Sequence, residues 1–136
     1  MRTSRRFALV AGVILVVVGV IIGGRYLIES RARPRGTVVV PEFSSEAKSG
    51  EMAFTTYCVS CHGKNAAGSD KGPPLINEIY RPSHHSDFSF VRAVTSGVPQ
   101  HHWAFGAMPA RPQVGRKQID QVVLYIRELQ EANGIK

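Results

Sequence analysis

Cys58-Val59-Ser60-Cys61-His62 is the stretch of this chain that decides its fold and its chemistry. It is a C-x-x-C-H pentad, the attachment signal of a c-type haem. Two cysteines three positions apart lie about one helical turn apart, so both thiols can reach the two vinyl groups of one porphyrin. His62 follows at once and is placed to bind the iron as an axial ligand. The pentad therefore predicts one haem c, attached covalently through Cys58 and Cys61.

A C-x-x-C pair also occurs in redox dithiols and in zinc sites. Cys58 and Cys61 are the only cysteines in the sequence, so there is no second pair to complete a zinc knuckle. The βαβ pattern that surrounds a redox dithiol is not visible either. These two interpretations stay open as the less favoured alternatives.

A six-coordinate haem needs a second iron ligand opposite His62, and the candidates are Met52, Met108, His84, His85, His101 and His102. Met108 lies 46 residues after His62, in a segment that Pro109 keeps extended, far enough along the chain to cross to the opposite face of the ring. A thioether ligand raises the reduction potential, which suits an electron carrier. We therefore predict that His62 and Met108 bind the iron; the alternative for Met108 is core packing.

The other histidines form two adjacent pairs, His84-His85 and His101-His102. Neighbouring side chains diverge, so the two members of a pair are not expected to share one metal ion, and loop or surface positions are predicted. Other roles stay open for His101 and His102. They are hydrogen bonding to a haem propionate, replacement of Met108, and copper binding together with Met108.

The N-terminal segment differs from the rest of the chain. Phe7–Gly24 is eighteen residues without a charge, about 27 Å of helix and just enough to span a bilayer. We predict an uncleaved signal-anchor helix within residues 1–28, with a cleaved signal peptide as the alternative. Residues 1–36 also hold seven of the seventeen basic residues, and the remainder carries ten basic and nine acidic ones. The net charge of +7 thus belongs mainly to this segment, and nucleic-acid binding is not expected.

The rest of the chain divides into a linker and a helical domain. Residues 29–43 are predicted as linker because Pro34, Gly36 and Pro41 interrupt any helix; alternatively, Val38–Val40 packs on the domain or on a partner. Residues 44–136 show helical periodicity and capping signals, so a small all-α domain is predicted. Its last helix presents the apolar face Ile119, Val122, Val123, Ile126 and Leu129.

The order of these motifs resembles class I cytochrome c over about residues 45–132. The resemblance is carried by the pentad, Gly72-Pro73-Pro74-Leu75, Met108-Pro109, and a final helix with Tyr125 and Leu129. It implies that the Pro73 carbonyl accepts a hydrogen bond from His62 Nδ1. It also implies that Gly50 and Phe54 cross the last helix near Tyr125 and Leu129.

The same resemblance implies which residues enclose the porphyrin. Trp103 is placed to donate its indole N–H to a propionate, with simple packing as the alternative. The expected walls are Pro73, Leu75, Phe88, Val91, Val94 and Leu129. Bacterial cytochromes of this type receive their haem outside the cytoplasmic membrane, so the domain is expected on the periplasmic side of the inner membrane, anchored by a single pass.

The predicted function is that of a membrane-tethered mono-haem carrier, which passes single electrons between periplasmic or membrane redox partners. No catalytic residue and no small-molecule substrate are expected. Two alternatives stay open. One is a permanent haem subunit of a respiratory or dehydrogenase complex. The other is a haem peroxidase or gas sensor with a labile sixth ligand, in which His101 or His102 acts as acid and base.

Overall fold

The computed structural model describes residues 15–24 and 37–136, and the chain divides into two units between Thr37 and Val38. Residues 15–24 form helix α1, whose large apolar side chains are exposed. The first part of the predicted span Phe7–Gly24 lies outside the described residues, as do its flanking arginines. No helix in the described part of the chain is both long and apolar enough to cross a membrane.

The second unit is helical, and the prediction of an all-α domain is confirmed. Among the described residues it contains one isolated β-bridge, which pairs Val98 with Met108 in the antiparallel sense. The α-helices are α2 (Ser45–Tyr57), α3 (Val59–His62), α4 (Asp87–Ser96) and α5 (Arg116–Ala132), and short 3₁₀ turns span Lys64–Ala66 and Glu78–Tyr80.

Helix α2 ends directly before the pentad. Ser44 caps it, because its hydroxyl accepts the Ala47 N–H at 3.2 Å and satisfies an otherwise unpaired donor. The helix breaks at Cys58, and the four-residue α3 then carries Cys61 and His62. Gly63 ends α3 with a φ of +72°, a conformation that side-chain-bearing residues rarely adopt.

The core is built on the crossing of α2 and α5, where the contact that the resemblance implies is present. A Cβ added to Gly50 would lie 2.0 Å from the Gln121 carbonyl oxygen, so only glycine lets the two backbones approach this closely. The rings of Phe54 and Tyr125 pack beside it with centroids 5.3 Å apart, and Leu129 is fully buried in the same cluster. Such aromatic pairs add about 0.5–1.5 kcal/mol beyond their buried area.

The segment before α2 packs on the domain. Phe43 is buried, and its ring lies 5.1 Å from that of Tyr125. The backbone N–H and C=O of Val39 both bond the side-chain amide of Asn133 at 2.8 Å. The folded unit therefore begins at Val38, six residues before the predicted start at Ser44. The earlier linker residues, 29–36, lie outside the described residues.

Candidate functional site

An elongated cavity of about 460 Å³ lies between the pentad, α4, α5 and the loop that precedes Met108. This volume is typical of a site for a small molecule or cofactor. Helix α5 walls it with an apolar face, since its lining residues follow the i, i+3, i+4, i+7 spacing: Ile119, Val122, Val123 and Ile126. Helix α4 contributes the apolar Phe90, Ala93 and Val94 and also the polar Ser89, Arg92 and Ser96. Gly97, the C-cap of α4, lines the cavity as well.

Three of the expected wall residues do not line this cavity. Phe88 is 69% exposed, because α4 turns Phe90 inward instead. Val91 packs in a neighbouring apolar cluster, and Leu129 lies in the core beneath α2. Those expectations are wrong. For Phe88 and Val91 the reason is helix phase, since both lie on other faces of α4 than the one that meets the cavity. Leu129 continues the apolar face of α5 but lies farther along the helix, in the core against α2.

His62 is held rigidly at the cavity wall. Its side chain is buried, and Nδ1 donates a hydrogen bond to the Pro73 carbonyl at 3.0 Å, as the resemblance implies. Since a carbonyl only accepts, this bond fixes the proton on Nδ1 and leaves Nε2 with a free lone pair. Burial lowers the pKa of His62, which keeps the imidazole neutral. A neutral, oriented imidazole is the form that binds iron.

The loop that carries Pro73 is tied to the pentad and to α5. The Leu75 N–H bonds the Ala66 carbonyl at 2.8 Å, and Leu75 itself is buried at the cavity wall. Behind it, the buried Gln130 donates its amide to the carbonyls of Leu75 at 2.9 Å and Tyr80 at 3.2 Å. Gln130 was not predicted from the sequence. The one feature that could have indicated it is an uncharged polar residue beside Leu129 and Ile126 in the apolar pattern of α5.

The two cysteines are free thiols beside this histidine. Cys58 lines the main cavity, and Cys61 lines an adjoining one of about 80 Å³ together with Cys58, His62 and Met108. Burial raises the pKa of the Cys58 thiol to about 11. A redox dithiol needs a reactive thiolate near neutral pH, so this environment disfavours that alternative.

Met108 reaches both cavities. Its backbone is fixed by the bridge to Val98, with both N–H···O distances at 2.9 Å. Met52, another candidate ligand, is 66% exposed on α2 and lines neither cavity. The structure thus brings His62 and Met108 to the same space and leaves Met52 outside it.

Trp103 also lines the main cavity, and its indole Nε1–H is buried without a hydrogen-bond partner. An unpaired buried donor costs about 1–3 kcal/mol, so an acceptor is expected at this position when the site is filled. A haem propionate is such an acceptor.

The residues present therefore fit a haem c. The cavity has apolar walls, and it offers two thiols, an oriented imidazole, a thioether and one unpaired donor for an acidic group. Each of these matches a part of the cofactor: vinyl groups, iron and propionate.

The other four histidines lie together at one rim, and the prediction that adjacent histidines point apart is wrong. The ring centroids are 4.7 Å apart in His84 and His85 and 4.4 Å apart in His101 and His102. Burial lowers the pKa of His85, and nearby histidine charges add to that shift. Desolvation and the charges of the other three lower the pKa of His102.

Comparison with known proteins gives one family. The family model described as Cytochrome c matches residues 47–130. The cytochrome c subunit of the cytochrome bc1 complex of Mycobacterium tuberculosis is 41% identical over 80 residues, which cover 55% of this chain and 28% of the relative. The CcoP subunit of the cbb3-type cytochrome c oxidase of Rhodobacter capsulatus is 28% identical over 93 residues, which cover 65% of this chain and 31% of the relative. The chain thus spans less than a third of the length of these curated relatives, and no solved structure matches it.

Proposed function

The chain belongs to the cytochrome c family, whose model matches more than half of its length, and on this premise we propose that it is a membrane-tethered mono-haem electron carrier. One haem c is attached through Cys58 and Cys61, and His62 and Met108 bind its iron. The observation that carries the proposal is the His62–Pro73 hydrogen bond at 3.0 Å, at the wall of a cavity that Met108 also lines. The bond leaves the imidazole Nε2 of His62 free, and the thioether of Met108 belongs to the same cavity lining.

The bound haem supplies a one-electron couple between ferric and ferrous iron. The chain contributes the surroundings. Pro73 orients His62 and increases its basicity, the α4 and α5 faces exclude water, and Trp103 offers its N–H to a propionate. If His62 and Met108 both held the iron, no ligand position would be left open to a substrate. A carrier is therefore favoured over a peroxidase or a gas sensor.

The apolar segment Phe7–Gly24 is proposed as the tether, with the haem domain on the periplasmic side of the inner membrane. Its support is the uncharged run of eighteen residues and the site of haem attachment in bacteria. A tether raises the local concentration of the carrier near membrane partners, which compensates for a small docking interface.

A second candidate is a permanent subunit of a respiratory complex. It is favoured by the two relatives, which are subunits of a cytochrome bc1 complex and of a cytochrome c oxidase. Native electrophoresis of gently solubilised membranes distinguishes the two candidates. A shuttle migrates as a small haem-staining band, whereas a subunit migrates with a large complex.

The axial ligand is tested by Met108→Ala, with Met52→Ala as the matched control because Met52 is exposed and lines neither cavity. We expect Met108→Ala to lose the methionine-to-iron charge-transfer band of the ferric protein and to let the ferrous protein bind carbon monoxide. Met52→Ala should keep the wild-type spectrum. A band that survives in Met108→Ala, or ready binding of carbon monoxide by the wild type, contradicts the ligand assignment and the simple-carrier proposal.

The tether is tested separately. The full-length protein should stay in membranes washed with high salt and with carbonate. A mature N-terminus near Arg33 would show instead that the segment is a cleaved signal peptide.

A further inference from the structure

Two histidine pairs that are distant in sequence meet at the rim of the cavity. The ring of His102 lies 5.3 Å from that of His84 and 5.3 Å from that of His85, centroid to centroid. One ring nitrogen from each of these three residues lies within 4.8 Å of one ring nitrogen from each of the others. Three imidazoles from two separate loops thus face one point.

The first pair is positioned by the turn that follows the Glu78–Tyr80 segment. The backbone N–H groups of His84 and His85 both bond the Arg81 carbonyl, at 3.0 and 2.8 Å. The Ile79 carbonyl lies 2.9 Å from Nδ1 of His84 and 2.7 Å from Nδ1 of His85, and the two Nδ1 atoms lie 2.9 Å from each other. A backbone carbonyl on one ring nitrogen is the usual outer partner of a metal-bound histidine, because it leaves the other nitrogen unprotonated.

The remaining histidines come from the loop between Val98 and Met108, which the bridge between those two residues closes. His101 bonds the Pro99 carbonyl through Nδ1 at 2.9 Å, so its ring is fixed beside His102 and outside the group of three. Behind the first pair, Arg127 donates to the His85 carbonyl, and its charge is shared with Asp87 at 2.7 Å. The charge of Arg127, which acts on His85, is thus partly neutralised by Asp87.

We propose that His84, His85 and His102 form a binding site for one divalent transition-metal ion, of which Zn²⁺ and Cu²⁺ are the best matched to imidazole. Nitrogen ligands at ~2.0–2.1 Å in tetrahedral geometry lie about 3.4 Å apart. His84 and His102 are exposed, so small rotations of their side chains close the triad around an ion. The fourth position is filled by water. None of these three residues is among those proposed to attach the haem or to bind its iron, although His85 and His102 also line the main cavity.

The test is isothermal titration of the haem-loaded, full-length protein with Zn²⁺, in a buffer that does not bind metals. We expect one saturable site per chain. His84→Gln and His102→Gln should each weaken it by more than ~10-fold, since even the loss of an outer partner costs about 10–100-fold. The matched control is His101→Gln, adjacent to His102 but outside the triad, for which we expect less than a threefold change. Cu²⁺ bound at the site should show nitrogen couplings in its electron paramagnetic resonance spectrum, and these should weaken in His102→Gln.

Three outcomes overturn the proposal: no saturable Zn²⁺ binding, a His101→Gln effect equal to that of His102→Gln, or unchanged affinity in His84→Gln. Folding of each variant is checked by its thermal midpoint without metal. In the wild type, Zn²⁺ at 100 times its dissociation constant should raise the unfolding free energy by about 2.7 kcal/mol. A folded variant that keeps this increase also contradicts the site.

Discussion

Gly50→Ala tests the helix crossing on which the whole site depends. The added Cβ would lie 2.0 Å from the Gln121 carbonyl oxygen, 2.5 Å from its carbon and 3.0 Å from Tyr125 Cβ. Two of these neighbours are backbone atoms of α5, so no side-chain rotation relieves the overlap. The two helices must separate by more than 1 Å to reach the 3.4 Å of an ordinary contact.

The expected size follows from three effects. Overpacking in a well-packed core costs about 1–3 kcal/mol and occasionally more. Separation of α2 from α5 adds to this, because a gap of ~0.5–1 Å forfeits a quarter to a half of each dispersion contact. Alanine recovers about 1 kcal/mol, since it is the better helix former. We therefore expect Gly50→Ala to lower the free energy of unfolding by about 2–3 kcal/mol.

Urea unfolding of the haem-loaded protein, followed by far-UV circular dichroism, measures this loss. The control is Gly115→Ala, where the nearest atom to an added Cβ is Gln118 Oε1 at an ordinary 3.6 Å. This position is the N-cap of α5, so we expect a loss of at most about 1 kcal/mol. If Gly50→Ala unfolds within 0.5 kcal/mol of the wild type, or is more stable, the close crossing is refuted.

Two further substitutions test other parts of the same framework. Phe43→Ala should cost about 3–4 kcal/mol in urea unfolding, because it removes a buried ring that packs on Tyr125. Gln130→Ala should lower the free energy of unfolding by about 1–3 kcal/mol, measured by thermal unfolding, because it leaves the buried Leu75 carbonyl without a donor, whereas the Tyr80 carbonyl keeps its bond from Arg127.

Each of these two substitutions has a matched control variant. Val40→Ala shortens an exposed side chain in the same segment as Phe43, and we expect a loss below about 0.5 kcal/mol. Gln121 lies on the same helix as Gln130, and Gln121→Ala removes a surface hydrogen bond to Glu46. We expect a similarly small loss of unfolding free energy. Equal losses for Phe43 and Val40 would mean that the segment does not pack on the core. Equal losses for the two glutamines would mean that Gln130 does not hold the loop.

The helices of the domain were predictable because their signals are local. Ser44 caps α2 through an N–H three residues away. The sequence predicts Asp87 as the cap of a helix that closes at Gly97, and α4 has its N-cap one residue earlier, at Ser86, and ends before Gly97. Which face of α4 turns inward was not predictable. Its apolar residues form two stripes, one with Phe88 and one with Phe90, and periodicity does not choose between them. Only packing against α5 and the cavity makes that choice.

The start of the domain and the histidine site depend on contacts between residues that are distant in sequence. Val39 is held by Asn133, 94 residues away, and nothing in the composition of its own segment announces that contact. His84 and His102 meet because the Ile79 carbonyl and the Val98–Met108 bridge position two separate turns. Spacing along the chain predicts neither.

The sequence by itself predicted the chemistry, since the C-x-x-C-H pentad is a haem-attachment signal contained within about one helical turn and Met108 lies far enough along the chain to be the predicted second ligand. It also determined the helical class, because caps and periodicity act over three or four residues. The tertiary structure alone decided that Pro73 orients His62, that Gln130 secures the loop behind it, and that three histidines converge on the rim. The physical reason is that hydrogen bonds and ligand sets between distant segments depend on how the helices pack, and that packing is settled by the whole core at once.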